Sequence, residues 1–188
     1  MTRRDPIEIV RLVLLYGAVA ALVSLSRPTC WSVAVGAGFV ATGEALRIWA
    51  AGHLDKNDRL TTSGPYRFTR NPLYLGRLIV YTGLVLMAWF SLKLNAALLV
   101  GGWLLFFGYY VPRKERIEPA RLTARHGEAY RRYFDAVPAL FPRGRAWSED
   151  GHTPWRWDRL QRHRELLTTL GLASVVAVMA LRAAGLLP

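Results

Sequence analysis

Long apolar runs separated by short basic segments are the feature that most constrains how this chain folds. An α-helix needs roughly 20 residues to cross a bilayer. Runs that approach this length fall at residues 7–25, 30–51, 73–90, 94–111 and 166–187. Because only a few residues separate the first run from the second, and the third from the fourth, these runs must pair as antiparallel hairpins. The sequence therefore predicts an all-α polytopic membrane protein with about five transmembrane helices, which form a single membrane domain over residues 1–188.

The basic residues follow the same topology. The chain carries a formal net charge of +12, although 52% of its residues are hydrophobic. Most of its lysines and arginines lie in segments 1–6, 52–72 and 112–165, whereas the alternate connections and the tail hold only Arg27, Lys93 and Arg182. The positive-inside rule then places the N-terminus and the two long polar segments in the cytoplasm.

This charge pattern also indicates the partners of the protein. Because the charge follows the membrane topology, we expect contact with membrane lipids and no nucleic-acid partner. The Ala-, Leu- and Arg-rich composition suggests a bacterial protein, and hence the inner membrane. The histidines show no spacing typical of metal ligands, so no metal site is expected. The oligomeric state stays open.

The second apolar run contains both an ionisable pair and several glycines. Glu44 and Arg47 share one helix face, where they form either a structural ion pair or part of a polar pocket shared with the next loop. Gly36, Gly38 and Gly43 lack the preceding strand of a phosphate-binding loop, so they predict close helix packing instead. Gly101–Gly102 is interpreted in the same way.

The polar segment 60–76 combines turn-forming residues with chemistry-bearing side chains. Pro72 suits the first turn of a helix, where its missing N–H has no cost. The free N–H groups at that helix start, together with the Asn71 side chain, are suited to bind carboxylate or ribose oxygens. Tyr66 and Tyr74 offer aromatic faces for an adenine ring or a sulfonium cation. Arg67 is interpreted as a headgroup anchor.

A second polar segment begins at Pro112. Apolar residues among its charges predict an amphipathic helix that lies against the membrane surface or the protein. These residues are Ile117, Leu122, Tyr130 and Tyr133. The prolines at 138 and 142 should end this helix. Residues 143–165, with three tryptophans and many arginines, predict an interfacial segment before the last span.

At these two segments the chain resembles a known family. The run G-P-Y-R-F-T-R-N-P-L-Y-L-G at 64–76 resembles the R-[HN]-P-x-Y-x-G signature of the isoprenylcysteine carboxyl methyltransferase and phospholipid methyltransferase superfamily. The run E-P-A-R-L-T-A-R-H-G-E-A-Y-R-R-Y at 118–133, followed by V-P-A-L-F-P, resembles the family's E-E-x-x-L-x-x-x-[FY]-G-x-x-Y-x-x-Y…V-P…P block. The likeness covers roughly residues 52–142, which would form the cofactor-binding and catalytic core. Residues 143–188 lie beyond it.

The resemblance implies an integral-membrane methyltransferase that binds S-adenosylmethionine without a Rossmann domain. By this likeness, the residues in contact with the cofactor would be Asp58, Arg59, Leu60, Thr61, Tyr66, Asn71, Pro72, Leu73, Tyr74 and Glu118. Glu118 would receive the methionine ammonium, since a carboxylate pairs well with a primary ammonium in a partly dry pocket. The catalytic group would comprise Arg70, Asn71, Tyr74 and Glu118, and the substrate would be bound by Lys114 or Arg113.

Three positions depart from the family pattern. Asn71 replaces a histidine found in the eukaryotic carboxyl methyltransferases and removes a titratable group. Pro119 replaces the second glutamate of the E-E pair, which weakens a specific link to the phosphatidylethanolamine branch. His126 stands where an aromatic residue is usual.

The expected reaction is methyl transfer to a lipophilic acceptor that enters sideways from the bilayer. A carboxylate acceptor needs no general base, whereas a lipid ammonium or a thiol must first lose a proton. The residues that the resemblance assigns to the site include no histidine, so Asp58 and Glu44 are the candidate bases. The lack of a better base favours carboxylate O-methylation, with phospholipid N-methylation as the alternative. Two further alternatives are an NADPH-dependent sterol or isoprenoid reductase, whose motif differs at Leu73 and Arg77, and an inactive lipid-binding protein.

Overall fold

Helices make up nearly all of the regular structure in the computed structural model. It describes residues 17, 20–21, 23–55, 60–144, 146–148, 153–162 and 165–187. The helices are α1 (Cys30–His53), α2 (Pro72–Ala88), α3 (Leu92–Leu105), α4 (Val111–Ala136), α5 (Trp157–Arg162) and α6 (Glu165–Ala183). A 3₁₀ turn, Gly64–Arg67, precedes α2, and a π-helical turn, Phe106–Tyr110, joins α3 to α4. Most of the first predicted span, 7–25, lies outside the described residues.

The helices have the length and surface of membrane spans. By length and composition, α1, α6 and the continuous helix Leu92–Ala136 are apolar enough to cross a membrane, and Pro72–Ala88 is a shorter apolar helix. Large apolar side chains on these helices are exposed, among them Trp31, Leu104 and Leu167. Such surfaces need lipid rather than water around them. The predicted all-α membrane protein is confirmed, and the described residues contain no β-strand.

Helices α1 and α2 pack closely through glycines. A Cβ added at Gly36 would lie 2.6 Å from the carbonyl oxygen of Gly83, and one at Gly43 would lie 2.7 Å from that of Gly76. The absence of side chains at these crossing points lets the two backbones approach. The packing prediction is confirmed for Gly36 and Gly43, whereas Gly38 faces open space. Gly76, which ends the first motif, is thereby fixed against α1.

The ionisable pair of α1 is a structural ion pair joined by a third residue. Nη1 of Arg47 lies 2.5 Å from Oε1 of Glu44, and its Nη2 lies 2.5 Å from Oε2 of Glu165 at the start of α6. Thr169 donates a hydrogen bond of 2.8 Å to the other oxygen of Glu44. This network attaches α6 to α1 and confirms the structural interpretation of the pair.

Pro112 does not interrupt the helix, which continues from α3 through the π-turn into α4. A π-turn changes the hydrogen-bond register by one residue, so the ladder can continue past a proline that has no N–H to donate. Pro112 lies in the first turn of α4. The basic half of the helix therefore extends directly from the span on the side that carries the loop before α2.

Helix α4 is kinked near its end and packs on the loop before α2. Gly127 has φ 57° and ψ −131°, a left-handed backbone conformation that glycine adopts readily. Beyond this kink, Tyr130, Tyr133 and Val137 are buried in a small core that also includes Trp147. The predicted amphipathic helix and its end before Pro138 are confirmed.

Candidate functional site

A polar cavity of about 330 Å³ lies between α4 and the loop that precedes α2. Both sequence motifs contribute to its wall. The predicted site residues that line it are Leu60, Thr61, Tyr66, Arg70, Asn71 and Glu118. Residues 45 or more positions apart in the chain, such as Arg70 and Glu118, are thus brought to one pocket by the α2–α3 hairpin and the long α4.

Glu115 connects the two motifs inside this cavity. One carboxylate oxygen lies 2.5 Å from Nη2 of Arg70, and the other accepts a hydrogen bond of 2.9 Å from the side-chain amide of Asn71. Asn71 also donates to the carbonyl oxygen of Ala139 at 2.8 Å. Asn71 is therefore positioned by α4 and the chain that follows it, and it does not cap α2 through its side chain.

Arg70 is held on three sides. In addition to the ion pair with Glu115, its Nη1 donates to the carbonyl oxygen of Phe134, and the guanidinium lies 3.6 Å from the centre of the Phe134 ring. Its Nε is buried and makes no hydrogen bond within the described part of the chain. A buried N–H without a partner is costly, and the ion pair with Glu115 holds the guanidinium in place despite this cost.

Glu118, Lys114 and Tyr74 form a chain of contacts beside the cavity. Nζ of Lys114 lies 2.8 Å from Oε2 of Glu118 and 3.5 Å from the centre of the Tyr74 ring. Burial lowers the pKa of Lys114, although the ion pair with Glu118 opposes this effect. Tyr74 packs against Tyr110 with ring centres 5.1 Å apart. Tyr74 and Lys114 line a much smaller neighbouring cavity rather than the main one.

The remaining predicted residues lie elsewhere. Pro72 is fully buried in the first turn of α2, and the neighbouring Leu73 is half-buried; neither lines the main cavity. Arg113 is exposed, and Nη1 of Arg113 donates to the Tyr109 hydroxyl. Asp58 and Arg59 lie outside the described residues.

Two of the departures from the family pattern are also in the cavity wall. Pro119 and His126 both line it. Pro119 is accommodated inside α4. Glu44, considered above as a base, does not line this cavity and is bound to Arg47 instead.

Buried tyrosines form the apolar side of the cavity. Tyr133 donates a hydrogen bond of 2.8 Å to the backbone carbonyl oxygen of Tyr66. Burial raises the pKa of Tyr66 and Tyr133, and it raises the pKa of Tyr130 to about 12. All three phenols therefore stay neutral at physiological pH and present aromatic faces rather than charge.

Sequence reasoning missed four ionisable residues in the wall: Asp55, Glu115, Arg121 and Arg125. Glu115 lies three residues before Glu118 and hence on a neighbouring position of the same helix face, a spacing that makes it a candidate once Glu118 is assigned. Asp55 follows the end of α1, and its sequence context gives no comparable signal.

A second cavity, of about 400 Å³, opens on the apolar surface between α2 and α3. Leu78, Leu105 and Phe106 contribute to its wall, and Arg77 is the charged residue among those that line it. Tyr110 lines both this cavity and the small one that also contains Asn71 and Lys114. Tyr110 therefore lies between the apolar cavity and the small one, and Asn71 lines both the small cavity and the polar one.

Comparison with known proteins agrees with the first motif. Residues 31–112 match the phospholipid methyltransferase family. The cobalt-zinc-cadmium resistance protein CzcN of Cupriavidus metallidurans is 36% identical over 99 residues, which cover 52% of this chain and 43% of that protein. The chain thus spans less than half of the length of this curated relative. No solved structure matches the chain significantly.

The family match includes nearly all of α1, the loop before α2, α2, α3 and the π-turn, and it ends in the first turn of α4, before Glu115 and Glu118. The resemblance to the isoprenylcysteine carboxyl methyltransferase and phospholipid methyltransferase superfamily is therefore confirmed, on a phospholipid methyltransferase match that covers residues 31–112.

Proposed function

We propose that this protein is an integral-membrane methyltransferase that uses S-adenosylmethionine to methylate a lipophilic acceptor. The observation that carries this proposal is the cavity of about 330 Å³ in which residues of both motifs meet. Its volume is within the range of roughly 300–1,000 Å³ that small-molecule sites occupy. The family match supports the same class of activity.

The residues of the cavity fit the charges of S-adenosylmethionine. Glu118 would bind the ammonium group, and the guanidinium of Arg70 would bind the carboxylate of the amino-acid end. Tyr66 and Tyr130 would pack against the adenosyl part. When bound, the donor supplies a methyl group on a cationic sulfur that an electron-rich acceptor atom can displace.

The protein's part in the reaction is to bind and orient the donor and the acceptor and to exclude water. Glu115 fixes Arg70 and Asn71 relative to α4, so the loop and the helix present a preorganised surface. The buried tyrosines keep water from one side of the cavity. Charge separation falls when an anion meets a cationic donor, and a water-poor site favours such a step.

The state of the acidic groups favours an acceptor that arrives ionised. Glu115 is engaged by Arg70 and Asn71, and Glu118 is engaged by Lys114. Neither carboxylate stands unpaired as a general base would. Carboxylate O-methylation, as in the isoprenylcysteine carboxyl methyltransferases, is therefore our first assignment of the acceptor, and phospholipid N-methylation is the second.

The acceptor would enter from the membrane through the apolar cavity between α2 and α3. That cavity reaches Tyr110, whose neighbour Tyr74 contacts Lys114 beside the polar cavity. A lipid tail in the apolar cavity would place its headgroup at this aromatic pair. We assign the polar cavity and the N-terminus to the cytoplasmic side of a bacterial inner membrane, in agreement with the positive-inside rule.

Arg121 and Arg125 give the reductase alternative its support, because guanidinium groups in the cavity wall are suited to a dinucleotide phosphate. Calorimetric titration of the detergent-purified protein with S-adenosylhomocysteine and, in parallel, with NADPH separates the two. Binding of S-adenosylhomocysteine alone is expected. Binding of NADPH alone would assign the protein to the reductases, and binding of neither would refute both assignments.

The acceptor is then sought with a methyl-labelled donor and membrane lipid extract. Transfer of label to an extractable lipid is expected, and base-labile label would indicate a methyl ester. If a water-soluble acceptor without a lipid tail proved to be the best substrate, the lateral route would be wrong. Donor binding without transfer to any extract would favour the inactive binding protein.

A further inference from the structure

Asp55 is an acidic residue that lines the polar cavity and lies outside both sequence motifs. It lies two residues beyond the end of α1, and its side chain is 28% exposed. Its backbone N–H donates a hydrogen bond of 3.0 Å to the hydroxyl of Thr61, which also lines the cavity. This bond links the end of α1 to the cavity wall on the far side of the loop.

The position of Asp55 is set by a residue from the C-terminal segment. Nη2 of Arg159 in α5 lies 3.2 Å from Oδ2 of Asp55. Nη1 of Arg159 donates to the carbonyl oxygens of Gly52 and His53 at 3.3 Å and to that of Pro154 at 3.0 Å. The last carbonyls of a helix have no partner within it and carry partial negative charge. These contacts therefore hold the Arg159 guanidinium at the end of α1, and the guanidinium in turn fixes the position of the Asp55 carboxylate.

A carboxylate fixed in this way still has hydrogen-bond acceptor capacity to spare. Two carboxylate oxygens together offer about four lone-pair sites, and Arg159 occupies one oxygen. Vicinal hydroxyls of a ribose are donors that acidic side chains bind in nucleotide sites. Glu118, the acid from α4, is already assigned to the ammonium group and paired with Lys114. The nucleoside end of the donor is then left for Asp55.

We propose that Asp55, held in place by Arg159, binds the ribose hydroxyls of the methyl donor. This inference rests on the proposed function and deepens it. It also gives the chain beyond the family match a role in the site, because Arg159 lies outside residues 31–112. Asp55 is a binding residue, and Arg159 is a positioning residue that acts through it.

The test compares two ligands that differ in one hydroxyl: S-adenosylhomocysteine and its 2′-deoxy analogue. Wild-type protein should bind the deoxy analogue about ten- to a hundredfold more weakly, since a hydrogen bond to a charged group is lost. Asp55→Asn should weaken binding of S-adenosylhomocysteine by a similar factor and bind the two ligands almost equally. Asp55→Ala, which removes the acceptor altogether, should do the same.

Arg159→Gln should weaken the binding of S-adenosylhomocysteine more than the binding of the deoxy analogue, so the preference for the hydroxylated ligand falls. A purely structural role would weaken both ligands equally, and that result would overturn the inference. The matched control is Arg156→Ala, because Arg156 forms an exposed ion pair of 2.9 Å with Asp158 in the same segment. This variant should bind both ligands as wild type does.

The outcomes separate the inference from the proposed function. If wild-type protein binds S-adenosylhomocysteine but does not distinguish it from the deoxy analogue, the ribose assignment is wrong and the methyltransferase proposal stands. If it binds neither ligand, both are wrong. Discrimination that survives in Asp55→Asn and Asp55→Ala would assign the hydroxyls to another residue.

Discussion

Arg47 and Glu165 are 118 residues apart in the sequence, yet their side chains meet at 2.5 Å in the membrane domain. Arg47 also pairs with Glu44 on its own helix. The aliphatic part of Arg47 lies against Gly76, since a Cβ at Gly76 would be 2.5 Å from Cγ of Arg47. One side chain therefore connects α1, α6 and the end of the first motif.

Replacement of Arg47 should destabilise the fold more than replacement of either of its acidic partners. Arg47→Met leaves two buried carboxylates without their shared cation, and we expect a loss of roughly 3–5 kcal/mol in the free energy of unfolding. Glu165→Gln keeps the Glu44–Arg47 pair, so a clearly smaller loss is expected. Thermal unfolding of both variants in detergent, followed by tryptophan fluorescence, measures the difference. Equal destabilisation by the two substitutions would contradict the shared-cation interpretation.

Glu118→Gln should weaken donor binding while the fold is retained. The loss of one charge-assisted interaction with the donor ammonium is expected to raise the Kd for S-adenosylhomocysteine about ten- to a hundredfold. Glu128→Gln on the same helix is the control, since its ion pair with Arg131 is long, at 3.9 Å, and exposed. Calorimetry measures both variants. Unchanged affinity in Glu118→Gln would remove Glu118 from the cofactor site.

The sequence predicted the helices well, and two of the motif residues that it singled out line the cavity, because both depend on local patterns. Apolar length identified α1 and α6, and the two motifs supplied Asn71 and Glu118 of the cavity. The salt bridge between Arg70 and Glu115 joins residues 45 apart, and it depends on the path of the intervening hairpin. No local pattern encodes such a contact.

The continuity of α3 and α4 is a second feature that the local sequence pattern did not predict. Pro112 is ordinarily a sign that a helix begins or ends. Here the π-turn Phe106–Tyr110 precedes it and allows the helix to pass. Arg159 and Glu165 show the same limit, since each completes an ion pair with a residue of the first third of the chain.

Tyr74→Ala should reduce methyl transfer more strongly than Tyr74→Phe. The alanine variant removes the ring that lies 3.5 Å from Nζ of Lys114 and 5.1 Å from the Tyr110 ring. Cation–π and aromatic contacts are worth about 0.5–2 kcal/mol each, so a decrease of at least about tenfold in kcat/KM is expected. The phenylalanine variant keeps both contacts and should stay close to wild type. Wild-type kinetics in Tyr74→Ala would show that the ring has no part in the reaction.

Gly127→Ala should disrupt the end of the cavity through the backbone alone. Gly127 has φ 57° and ψ −131°, and an added Cβ would meet no atom within 4 Å. The cost is then conformational, about 1–3 kcal/mol for a non-glycine residue held in such a region. Gly144→Ala is the matched control, because it also has open space but lacks the left-handed φ.

The kink at Gly127 lies between His126 and Tyr130, which both line the cavity, so its effect should extend to ligand binding. If Gly127→Ala straightens α4, the part of the helix beyond residue 127 is redirected, and Tyr130 and Tyr133 lose their packing against Leu60. Affinity for S-adenosylhomocysteine should then fall together with the thermal midpoint. Gly144→Ala should change neither quantity. A Gly127→Ala variant with normal stability and normal affinity would mean that α4 tolerates a regular helical turn here, and that the kink does not shape the site.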